Sequence, residues 1–123
     1  MTTSKIIFAL ASAAVAFFAS TAAFAHAQLI SSQPAANSMS AQAPAEIALH
    51  FNEKIESAFA SIRVSDASGQ QVDRKDTQID KTDPKVLRVS VPPLKAGSYK
   101  VQWRATAADL HKIEGTFTFR IGN

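Results

Sequence analysis

The 123-residue chain holds three histidines, His26, His50 and His111, and no cysteine. Any metal chemistry must therefore draw on imidazole, carboxylate, methionine or a backbone amine. His26 directly follows Ala23-Phe24-Ala25, a small-x-small ending of the kind signal peptidase cuts. Cleavage after Ala25 makes His26 the first residue of the mature chain. A free amine and the imidazole Nδ1 of one residue can then close a ring around a single ion. An internal histidine cannot do this, because its nitrogen is an amide. The second cluster is Asp109-Leu110-His111. In extended geometry, residues two apart face the same side. Asp109 and His111 are then expected to face one ion, with Leu110 turned away. With His26, the set is three nitrogens and one oxygen. A tetragonal nitrogen and oxygen set suits copper(II), which also heads the divalent affinity order. Zinc favours tetrahedral sites and fits less well.

On spacing alone, a second reading of Asp109 and His111 stays open: a loop carboxylate that hydrogen-bonds an imidazole and binds no metal. His50 alternates with Leu49 and Phe51, so it should point away from their face as a surface or strand-edge histidine. Glu53, just beyond that strand, is a candidate acceptor behind a ligating imidazole, because metal-bound histidines donate their other N–H to a second group. Arg104 is a candidate partner for a carboxylate near the 109–111 loop.

These groups need a frame. Residues 1–25 read as a cleaved leader, with Lys5 ahead of an apolar run over 6–18 and the Ala-x-Ala ending. The run falls short of the roughly 20 residues a membrane span requires. No stable membrane insertion is expected after cleavage. Residues 26–123 then form one domain, able to bury a modest core but not a large catalytic cleft. Export points to a periplasm. Basic and acidic side chains intermix from 53 to 85, unlike the clustered cations of a nucleic-acid binder, so no nucleic-acid partner is expected.

The mature chain alternates at period two in several short runs, the mark of half-buried strands. Ile47, Leu49 and Phe51 share one face, as do Leu87, Val89 and Val91, then Tyr99, Val101 and Trp103, then Phe117, Phe119 and Ile121. Pro92-Pro93 stops one strand and Gly97 opens the next. Residues 52–59 could close a helical turn, and 71–84 read as an exposed loop or edge. About seven strands at this spacing imply an all-β, immunoglobulin-like Greek-key sandwich.

Four motifs in order carry a resemblance along the mature chain. They are His26 followed by Leu29-Ile30-Ser31-Ser32-Gln33-Pro34-Ala35; Leu49-His50-Phe51-Asn52-Glu53; Gly97-Ser98-Tyr99-Lys100-Val101-Gln102-Trp103-Arg104; and Ala107-Ala108-Asp109-Leu110-His111 with Gly115-Thr116-Phe117-Thr118-Phe119. The sequence resembles the CopC family of periplasmic copper resistance proteins. The resemblance implies one copper(II) ion held by His26, Asp109 and His111, and a carrier or buffer rather than an enzyme. It also implies exchange with a partner such as an inner-membrane transporter of the CopD type. Some family members add a copper(I) loop rich in Met and His. Residues 65–83 contain neither, and Met39 is the only mature methionine. The chain thus resembles a copper(II)-only version.

Two other functions compete. A copper-dependent oxidative enzyme would also use an N-terminal histidine, but Asp109 would occupy the position that oxygen chemistry needs open. A metal-free sandwich that serves only as an interaction module would leave His26 without a role.

Overall fold

Alternating apolar residues become strands wherever one face can be buried, and the computed structural model, which describes residues 27–122, follows that rule closely. The leader and His26 lie outside the described residues. In chain order the strands are β1 (Leu29–Gln33), β2 (Met39–Ser40), β3 (Glu46–Phe51), β4 (Ile55–Ser65), β5 (Gln78–Ile79), β6 (Val86–Ser90), β7 (Gly97–Ala107) and β8 (Lys112–Ile121). They form two four-stranded sheets, ordered β1-β3-β6-β5 and β2-β8-β7-β4. Only the β5–β6 and β7–β8 steps stay within one sheet; every other connection crosses to the opposite sheet. This is the all-β Greek-key sandwich expected from the sequence.

One local expectation is corrected and another is refined. Residues 52–59 do not close a helical turn: β4 begins at Ile55 and pairs Ile55 with Ala107. The register of β4 against β7 then shifts between Glu56 and Ser61, which breaks the clean alternation that strand reading depends on. The segment 71–84 is indeed an edge, carrying β5, but it is not merely a solvated loop. Asp73 is buried and accepts from the backbone N–H of Val64 at 2.8 Å and of Lys75 at 3.0 Å. Asp80 accepts from Arg88 Nε at 2.7 Å and from the Thr82 hydroxyl at 2.6 Å.

The apolar faces meet between the sheets. Ile47, Leu49, Phe51, Leu87 and Val89 from one sheet pack on Val64, Val101, Trp103, Phe117 and Phe119 from the other. Full burial of each such side chain contributes about 1.5–3 kcal/mol. The Phe51 ring meets Trp103 edge-on at 5.2 Å, and Tyr99 stacks on Phe119 at 5.4 Å. Tyr99 donates its hydroxyl to the Lys95 carbonyl at 2.6 Å, which satisfies the one polar atom it carries inward. Gly115 sits opposite Trp103 in the ladder, and a Cβ there would lie 2.5 Å from the indole. The missing side chain is what lets the indole lie across β8.

Candidate metal centre

Three backbone segments converge at one end of the sandwich. Ala27 is buried, and Gln28 is tied to the β3–β4 connection in both directions. Its N–H donates to Asn52 Oδ1 at 2.6 Å, and its carbonyl accepts from the Asn52 N–H at 3.1 Å. On the other side of the same connection, the Ala108 N–H donates to the Lys54 carbonyl at 3.3 Å. Residues 52–54 therefore bridge the start of the described chain and the β7–β8 hairpin. Half-buried Glu53 lies in the middle of this bridge.

The hairpin presents Asp109 and His111, though not in the extended geometry expected. The Leu110 N–H donates to the Ala107 carbonyl at 2.9 Å, and the Ala107 N–H to the His111 carbonyl at 3.1 Å. Leu110 takes φ 69°, in the left-handed region. Leucine has no local polar group to favour that conformation, which costs an L-residue roughly 1–2 kcal/mol. Asp109 and His111 thus converge through a tight turn rather than along a strand. Asp109 Oδ1 accepts from the His111 N–H at 3.0 Å, and Oδ2 lies 2.8 Å from His111 Nδ1. The carboxylate fixes the ring so that Nε2 faces away from it. This contact is the one that the reading without a metal expects of a loop carboxylate beside an imidazole, and Asp109 has to turn from Nδ1 before both side chains can face one ion. Both side chains are exposed enough to meet an ion from solvent, at 39% for Asp109 and 60% for His111.

His50 stands on β3 opposite Ser31 and Val86, half-buried, while Leu49 and Phe51 point into the core. It points away from the core face, as expected, but from an inner strand paired on both sides rather than from an edge. Among the described residues no group of three or more His, Cys, Asp or Glu is gathered. They supply the pair Asp109–His111, and the third expected ligand, His26, lies outside them. Arg104 pairs across the ladder with Glu114 at 3.6 Å, away from the turn. Sequence reading missed Asn52 altogether. An asparagine at a strand end reads as ordinary turn chemistry, and nothing local announces that it clasps Gln28.

Comparison with known proteins agrees with the fold. Residues 29–122 match the CopC domain. Copper resistance protein C of Pseudomonas syringae pv. tomato is 35% identical over 114 residues, covering 88% of this chain and 90% of that protein. The copper transport protein CutJ of Bacillus subtilis is 36% identical over 100 residues, 80% of this chain but only 18% of CutJ. This chain therefore spans less than a fifth of CutJ's length. The crystal structure of PcoC, a methionine-rich copper resistance protein from Escherichia coli, overlays with a TM-score of 0.67 at 33% identity, covering 79% of this chain and 99% of that one. The chain belongs to the CopC family, whose members are known as copper resistance and transport proteins and not as enzymes.

Proposed function

We propose that this protein is a periplasmic copper(II) carrier or buffer, holding one ion through the amine and imidazole of His26 together with Asp109 and His111. The observation that carries this reading is the bridge at 52–54. It ties Gln28, two residues after His26 in sequence, and Ala108, the residue before Asp109, to one connection. Glu53, within the bridge, serves as an acceptor supporting the site. Cleavage after Ala25, at the boundary of leader 1–25 and domain 26–123, frees the amine. Copper would pass to or from a membrane partner such as a CopD-type transporter.

The test compares correctly processed protein with a form carrying one extra residue before His26, in a copper(II) competition titration. The extension turns the amine into an amide and removes the chelate ring. Its expected effect, like that of His111→Ala, is a loss of affinity by orders of magnitude with the β-sheet circular dichroism unchanged. Equal affinity for the extended and native forms would refute the ligand set. Affinity should also fall as pH drops, since copper must displace protons from the amine and imidazoles.

PcoC is a methionine-rich protein, whereas here methionine is confined to Met1 and Met39 and thiols are absent. Thioether and thiolate are the ligands that select copper(I). The mature protein is accordingly expected to hold copper(I) far more weakly than copper(II). Tight copper(I) retention in a competition assay would contradict the copper(II)-only reading.

A further inference from the structure

The outer face of the β2-β8-β7-β4 sheet is the one place where the protein's charge is one-sided. Lys100, Arg104, Arg120 and Arg63 point outward there between buried neighbours on β7, β8 and β4, and exposed Lys112 opens β8, against only Glu56 and Glu114. Over the rest of residues 26–123, seven cations are outweighed by eight acids. The positive excess of the mature chain therefore sits on this face.

The face is grooved rather than flat. One groove of about 650 Å³ runs along Phe59, Ala60, Ser61, Thr106, Lys112 and Ile113. A second of about 740 Å³ continues from it past Arg63, Gln102 and Thr116, with Ser61, Arg104 and Glu114 common to both. Phe59 is 68% exposed, far more than a phenylalanine usually is, and Lys112 Nζ stands 6.0 Å from its ring centroid. Thr106 lines the groove and is 4% exposed, yet among the described residues its hydroxyl has no hydrogen-bond partner. A buried hydroxyl left unpaired is unfavourable, and this one lies under the groove floor rather than open to it. The near end of the groove is Lys112, the residue after His111.

We infer that this trough is a docking surface for an acidic, extended segment of a partner protein, with carboxylates over Arg104 and Arg63 and an apolar side chain against Phe59. Cationic walls select negative charge, and the exposed ring with its small neighbours selects one apolar residue among the acids. A groove that follows β7 and β8 from Thr106 and Lys112 to Gln102 and Thr116 suits a single extended chain segment. A planar lipid surface would meet only the rim. The inference rests on the copper-carrier reading for its purpose, because a segment seated here brings its protein within a residue of the proposed metal ligands. The docking itself does not require copper.

The probe is a short synthetic peptide of several glutamates around one phenylalanine, titrated into 15N-labelled mature protein. Its lysine counterpart and vesicles containing phosphatidylglycerol are run alongside. The expected result is a set of amide shifts confined to Ser61, Arg104, Thr106, Lys112 and Thr116, weakening as salt is raised. The double variant Arg63→Glu/Arg104→Glu should lose about tenfold or more in peptide affinity. Phe59→Ala, which leaves the charge untouched, should weaken it severalfold. Shifts spread over both sheets, insensitivity to Phe59→Ala, or vesicle binding in place of peptide binding would each overturn the inference. Copper(II) titration of the same variants separates the two ideas. Variants that lose docking but keep copper binding are expected; a native protein that binds copper but not the peptide sinks only the docking surface, whereas absent copper binding in the native protein sinks the carrier reading.

Discussion

At the scale of single residues, the tightest constraint is the pairing of Gly115 with Trp103. The Cβ of Gly115→Ala would lie 2.5 Å from the indole, closer than packed atoms come. The ring would have to move, and with it the edge-on contact to Phe51. The expected cost is about 1–3 kcal/mol, the usual range for overpacking a core. Urea unfolding followed by Trp103 fluorescence measures it, and a variant as stable as native would show that the indole has another place to go. The same scale shows what sequence can and cannot tell about the site. Asp109 and His111 were legible as a pair because their types and spacing speak for themselves. Their geometry was not. It depends on Leu110 adopting φ 69°, a conformation that leucine does nothing to announce.

Among the elements, β3, β6, β7 and β8 were readable because strict alternation maps a buried face directly onto the sequence. β4 was only half readable. Its register shift between Glu56 and Ser61 interrupts the period just where a helical turn seemed possible. The two-residue strands β2 and β5 are too short to carry any period. The edge around β5 is instead organised by carboxylates. The Thr82 hydroxyl first, and then Arg88, hold the Asp80 carboxyl well below the usual aspartate range. Arg88 also reaches Glu46 on β3, so it ties three strands of one sheet. A depressed carboxyl takes up its proton more readily in the unfolded chain, near the ordinary value of about 3.9. Its stabilising effect is therefore present above that value and fades as pH falls below it. Asp80→Asn should consequently destabilise the protein at neutral pH and converge with native stability in acid. Urea midpoints compared at neutral pH and at about pH 3 test this, and a gap that stayed constant would mean that the charge on Asp80 is not what matters.

For the whole molecule, stability must come from packing between the sheets, since no cysteine is present to staple them. A ligand that binds only the folded state adds RT ln(1 + [L]/Kd), about 2.7 kcal/mol at a hundredfold excess over Kd. Copper(II) should accordingly raise the melting temperature of the mature protein by several degrees, and should do much less for the form extended before His26. Equal shifts for both would place the ion elsewhere. Calorimetry on the two forms decides it.

The bridge at 52–54 has a consequence beyond affinity. Gln28 leads into β1 of one sheet, and Ala108 follows β7 of the other. Those hydrogen bonds already join the two sheets, so an ion shared by residues beside both would brace a closed frame rather than close an open one. The amides of Gln28, Asn52 and Ala108 would then report copper occupancy by exchanging their protons more slowly when the ion is bound.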